Sequence, residues 1–240
     1  MKPRLSLCSC VVALAACGGC NSAPSRSAPA ENARPQSLAA QPMAQEDARP
    51  RRHSNNAASS LPGEFDFYLL NLSWSPEFCF HHRDNPQCPA RPGFVVHGLW
   101  PQNGDGTYPE HCSDVPGPAD PSADTDLQPT PSLVEHEWQA HGTCSGLSAD
   151  AYFALIRRAR AKVRIPAAFS GPTQPRSETP DAILDQFTQI NTGFPRESFA
   201  LSCGNNYLTA IEACFDKNLN PVGCENVRSC RANSIRITPR

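Results

Sequence analysis

The sequence predicts an α+β domain behind an export leader, on three observations. Helical patterns gather in the middle of the chain and strand patterns lie at both ends, the order expected when helices pack on one side of a sheet. The last 179 of the 240 residues are long enough to bury one substantial core. They also carry eight cysteines, at 79, 88, 112, 144, 203, 214, 224 and 230. An even number behind an export signal reads as a disulfide framework formed in an oxidising compartment. Zinc is the competing use, but no C-x-x-C pair occurs in the domain.

The leader comes first. Lys2 and Arg4 precede an apolar run from Leu5 to Ala16, too short to span a bilayer as a helix but typical of a secretory signal. Small residues before Cys17 resemble a bacterial lipobox, in which the cysteine is lipidated and becomes the mature N-terminus. Cleavage near Ala28-Pro29-Ala30 is the alternative. The expected location is periplasmic or extracellular, with membrane attachment only through a lipid at Cys17. Residues 1–20 are therefore assigned to the signal. Residues 21–61 are rich in Ala, Pro, Ser, Gln and Arg, lack the apolar content to offset ordering, and are expected to form a disordered tether. The domain proper is 62–240. It holds 14 Lys and Arg against 20 Asp and Glu, a formal charge of −6, which argues against gripping nucleic acid through many phosphates. A site for a few nucleotides remains open.

Within the domain, Phe65–Leu72 and Phe94–His97 are rich in strand formers, separated by a loop bearing Pro and Cys. Residues 101–131 are heavy in Pro, Asp and Gly and read as loop. Ser132–His141 reads as a helix, with Ser132 and Glu135 matching a capping box and Gly142 ending it. Ser148–Arg164 is a second helix, its apolar face made by Tyr152, Phe153, Leu155, Ile156, Ala159 and Val163. Asp181–Ile190 is a third. Phe199–Cys203, Tyr207–Phe215 and Ser234–Thr238 read as strands.

Two stretches concentrate chemistry. "HEWQAHGTC", residues 136–144, holds two histidines five apart, about 140° from each other around a helix and wrong for the H-E-x-x-H zinc motif. Glu137 and His141 are four apart, the spacing of a carboxylate supporting an imidazole. "FVVHGLWPQ", residues 94–102, ends an apolar strand on His97, beside Gly98 and Trp100. Together with Tyr108, Trp100 supplies the aromatic walls of a slot for a planar group such as a nucleobase, unless both rings are ordinary core. Cys144 beside a histidine has a reading as a nucleophile. Against it stands the even cysteine count.

Both stretches, in this order, resemble the active-site segments of the ribonuclease T2 family. The likeness extends to "LNLSWSPEFC", "DGTYPEHC" and the cysteine pattern of the C-terminal part, so it covers residues 64–238. It implies a central antiparallel sheet with packed helices, stapled by Cys79–Cys88, Cys112–Cys144, Cys203–Cys230 and Cys214–Cys224. It also implies an endoribonuclease that cleaves single-stranded RNA through 2′,3′-cyclic phosphates, with no metal and no cofactor. By the same resemblance His141 is the base and His97 the acid, with the reversed assignment as the alternative, and Glu137 is the group that orients or polarises the site. His136 would bind phosphate, and Trp100, Tyr108 and Gln102 the base. One departure matters: Ala140 stands where the family segment carries a lysine. A catalytically weak RNA- or glycan-binding member of the same fold, or a zinc hydrolase using His97, His136 and His141, are the competing readings.

Overall fold

The computed structural model describes residues 61–90, 92–171 and 174–240. The signal, Cys17 and the tether up to residue 60 lie outside the described residues.

The chain enters the domain pinned rather than loose: Gly63 N–H donates to the Cys144 carbonyl and Lys217 Nζ to the Gly63 carbonyl. Strand β1, Phe67–Trp74, is buried along almost its whole length and sits between two partners. On one side it pairs antiparallel with β2, Phe94–Gln102; on the other with β5, Tyr207–Phe215. Strand β4, Phe199–Gly204, adds to β5 as an antiparallel hairpin, turned by Asn205 and Asn206 at positive φ. The short strands β3, Arg176–Glu178, and β6, Ile235–Ile237, pair with each other. A single parallel pairing, Tyr207 with Arg236, joins them to β5. The sheet is thus mixed, and antiparallel in every ladder but that one.

Helices α3, Ala149–Lys162, and α4, Pro180–Ile190, bury their apolar sides in the main core. Ser148 and Thr179 cap them through side-chain oxygens that accept from Ala151 N–H and Ala182 N–H. Trp74, Phe94, Phe169 and Phe187 form a chain of ring contacts within that core. A smaller apolar cluster on the sheet, Phe67, Leu69 and Cys214, packs against Trp100, Val222 and Val227. The structure pairs Cys79 with Cys88, Cys112 with Cys144, Cys203 with Cys230, and Cys214 with Cys224.

Several boundaries differ from the sequence expectation, each for a physical reason. The stretch read as a loop after β1 contains a short helix, α1, Ser75–His81, with Pro76 in its first turn. Strand β2 continues past His97 to Gln102, through Gly98 and Pro101, because β1 offers it partners as far as Phe67 opposite Gln102. Helix α2 runs Pro131–Ala140, and its cap is Thr130, not Ser132: Thr130 Oγ1 accepts from Leu133 N–H. Pro131 in the first helical position explains the shift, since a missing N–H costs nothing there.

Candidate active site

Strand β2 carries His97 on an irregularity. Asn71 of β1 faces Gly98 and Leu72 faces Val96, so His97 is the extra residue of a bulge. Bulges re-aim side chains and are common beside active sites. The imidazole is anchored on both sides. Its Nδ1 lies 3.1 Å from Ser73 Oγ, and its Nε2 lies 3.3 Å from Glu137 Oε1, an ion pair when His97 is protonated. The buried side chain of Gln128 donates to the His97 carbonyl and holds the bulge backbone.

Glu137, on α2, is fully buried. Its other oxygen accepts a 2.7 Å hydrogen bond from the Trp100 indole. Burial opposes ionisation of this carboxyl. The charge of His97 and its hydrogen bond, then the charge of His141 and the Trp100 bond, outweigh burial and hold the carboxyl below its ordinary value. Gly98 makes this possible: a Cβ there would fall on the Glu137 carboxylate and the Trp100 indole nitrogen.

His141 is the residue that ends α2, with φ −126° and ψ −41°. It has left the helix, so the four-residue spacing from Glu137 no longer dictates contact. The carboxylate turns to His97 and Trp100 across the gap to β2, and acts on His141 through charge. His141 is 8% exposed, and its Nδ1 has no hydrogen-bond partner among the described residues. Burial pushes its pKa from 6.5 down to about 4; Glu137 opposes that shift, while the charges of His136, His97 and His111 add to it. The imidazole is therefore neutral in mildly acidic and neutral solution.

Trp100 stands beside both imidazoles, its ring 5.5 Å from His97 and 5.2 Å from His141 between centroids. Below it, Tyr152 OH donates to the Leu99 carbonyl and locks α3 to β2. His136 lies on the exposed side of α2, close enough for its charge to bear on His141. Ala140, which one helical turn would place with His136, is buried, and its carbonyl accepts from His111 N–H. Tyr108 is half-buried, on the segment that follows the 103–107 turn. That turn is tied down by Gly104 N–H on Asp66 and by Asn226 on the Gly104 carbonyl. Gln102 ends β2, opposite Phe67 of β1. It is buried, and its amide nitrogen donates to the Pro101 carbonyl. Cys144 is in a disulfide, which removes its reading as a nucleophile.

Ser73, Asn71, Gln128 and Gly98 are the members of this site that sequence reasoning missed. A signal existed for two of them: Asn71 and Ser73 alternate in an otherwise apolar strand and so share a face.

A neutral buried imidazole, a second imidazole paired with a carboxylate, and an indole beside both define a class: an enzyme that works by acid–base proton exchange. The comparisons specify the family. The ribonuclease T2 family pattern matches residues 65–224. A ribonuclease of Aeromonas hydrophila is 42% identical over 125 residues, 51% of this chain and 58% of that protein's length. Ribonuclease DdI of Dictyostelium discoideum is 32% identical over 195 residues, 71% of this chain and 82% of its own. Among solved structures, an RNase-related protein from Calystegia sepium superposes with a TM-score of 0.62 at 21% identity, covering 73% of this chain and 98% of that one. RNase NT, solved with 5′-AMP, gives 0.61 at 21% identity, covering 74% of this chain and all of its own. The chain belongs to the ribonuclease T2 family, a family of endoribonucleases.

Proposed function

We propose that this protein is an exported endoribonuclease that cleaves single-stranded RNA by transphosphorylation, with His141 and His97 as its proton-transfer pair. The observation that carries the assignment is the contrast between the two imidazoles. His141 is held neutral by burial and is ready to accept a proton, while His97 sits against a buried carboxylate that matches its protonated form. His141 takes the proton of the ribose 2′-hydroxyl as that oxygen attacks the adjacent phosphorus. The bond from phosphorus to the 5′-oxygen breaks, and His97 gives its proton to the departing oxygen. A 2′,3′-cyclic phosphate and a free 5′-hydroxyl result. Proton transfers of this kind contribute about 10²–10⁴-fold each.

Glu137 keeps His97 oriented and balances its charge. His136, exposed on α2, meets the phosphate. The partly exposed rings of Trp100 and Tyr108 stack on a base, a contact worth about 1–3 kcal/mol per base in single-strand binding. The nucleotide in the RNase NT structure is consistent with such a site in this fold. With a domain charge of −6, the aromatic and histidine side chains of the site rather than a basic surface would hold the substrate. Export through residues 1–20 and anchoring through a lipid at Cys17 complete the reading and place the activity in the periplasm or outside the cell.

The test is turnover of a homopolymer by His97→Ala and His141→Ala, with folding checked by thermal unfolding. Both folded variants should lose at least 10²-fold in kcat, by the magnitude expected of a general acid or base. Near-normal turnover in either would remove that residue from the mechanism.

A further inference from the structure

Glu212, on β5, is 1% exposed, and the chemistry above makes no use of it. A carboxylate is seldom fully buried unless it is partnered. Here its Oε1 accepts from Asn71 Nδ2 at 3.2 Å and from Ser202 Oγ at 3.0 Å. The sheet register explains the meeting: Asn71 faces Glu212 on β5, and Glu212 faces Ala200 on β4, two residues from Ser202. The chain of contacts does not stop there. Ser73 Oγ donates to Asn71 Oδ1 at 3.2 Å, and the same oxygen lies 3.1 Å from His97 Nδ1. Four strands thus contribute to one polar line from Glu212 to the proposed acid.

The direction of that line follows from donor counting. Glu212 Oε1 accepts from the Asn71 amide nitrogen, which leaves Asn71 Oδ1 facing Ser73. Ser73 has one hydroxyl hydrogen, and Asn71 Oδ1 takes it. The Ser73 oxygen then has only lone pairs to offer His97, so Nδ1 must carry a hydrogen. The remaining ring nitrogen, Nε2, is the one that faces Glu137. Which nitrogen of a histidine exchanges its proton is set by the hydrogen bond the other makes.

We propose that Glu212 is a positioning residue that acts through Asn71 and Ser73 to fix His97 as the Nδ1–H tautomer, leaving Nε2 as the atom that exchanges the catalytic proton. The inference rests on His97 being the proton donor for its consequence in turnover, but not for the tautomer itself. The groups around His97 are Glu137 of α2 at Nε2, His141 beyond the end of α2, Trp100 of β2, and Ser73 of β1. Asn71 and Ser202 face Glu212.

The experiment uses the whole protein with ¹⁵N-labelled histidine: wild type, Ser73→Ala, Glu212→Gln and the double variant. In wild type, neutral His97 should show a protonated Nδ1 and a bare Nε2. Ser73→Ala should shift it toward the Nε2–H form. The alkaline limb of kcat/KM should then move to lower pH by about one unit, because the charged ring has lost an acceptor. Glu212→Gln should move both readouts in the same direction by less, since an amide oxygen still accepts. The double variant should match Ser73→Ala alone, the signature of residues acting in series. A wild-type His97 in the Nε2–H form, an unmoved tautomer in Ser73→Ala, or additive shifts in the double variant would each overturn the proposal. Should Glu212→Gln fail to fold, Asn71→Ala cuts the same line between Glu212 and Ser73 and should shift His97 toward the Nε2–H form; an unmoved tautomer there would overturn the proposal. The tautomer is read on His97 itself, so it answers independently of whether His97→Ala is inactive.

Discussion

Gly98→Ala adds one methyl group at the point where the site is most crowded. The φ of Gly98 is not in the left-handed region, so alanine suits the backbone there and the effect is steric alone. The new Cβ would lie 2.8 Å from the Glu137 carboxyl carbon and closer still to one of its oxygens. Ordinary carbon contacts are about 3.5–4.0 Å, so the carboxylate must retreat by roughly 1 Å or the strand must move. Retreat breaks the 2.7 Å bond from Trp100 and lengthens the 3.3 Å contact with His97. Overpacking costs about 1–3 kcal/mol, and a lost hydrogen bond to a charged group about 1.5–3. Together they predict destabilisation of about 2.5–6 kcal/mol, or roughly 5–24 °C in Tm for a domain of this size. Misplacement of a catalytic group by about 1 Å costs on the order of 10²-fold in rate. The assays are thermal unfolding and steady-state kinetics on a dinucleoside phosphate, with kcat expected to fall far more than KM rises. A folded Gly98→Ala protein with kcat within twofold of wild type would refute the claim that the Glu137 position governs the site.

Two further outcomes follow from the acid side and the leader. Because the folded pKa of His141 is about 4 against 6.5 in its absence, the unfolded chain binds more protons between those values; stability is complete above 6.5 and falls toward pH 4, by on the order of 3 kcal/mol. Glu137, also depressed, adds a loss in the same direction as pH falls through its folded value, and the acid limb of kcat/KM should sit near 4. Denaturant midpoints at pH 7 and 4.5 for wild type and His141→Asn check this; equal pH dependence in the two would contradict it. Cys17→Ser should move the exported protein from the membrane fraction to the soluble one, and unchanged partitioning would exclude a lipid at that residue.

Local patterns carried most of the fold. Helices α3 and α4 and strands β4, β5 and β6 follow from apolar periodicity and from the caps Ser148 and Thr179, all contained in a few neighbouring residues. Long-range partners did not show. Gly98 and Pro101 look like strand breakers, yet β2 continues through them because β1 supplies the missing half of the ladder. Helix α1, seven residues with a proline and a cysteine, has too short a pattern to stand out. At the site, the residue types were legible but not every contact. Spacing on a helix joins Glu137 to His141, whereas the helix ends at Ala140 and the carboxylate meets Trp100, 37 positions earlier in the chain. The burial of Gln102, two residues after Trp100, was not legible either, because it depends on the pairing of β2 with β1. Ala140 stands in place of a lysine at a position that proves buried rather than shared with exposed His136.

The most direct test of the account is the identity of the first product. A single turnover of the protein on a dinucleoside phosphate in EDTA, followed by ³¹P NMR, should show a 2′,3′-cyclic phosphate appearing as the diester disappears. A nucleoside 5′-phosphate as the first product, or no cleavage until a divalent metal is restored, would contradict transphosphorylation by His141 and His97.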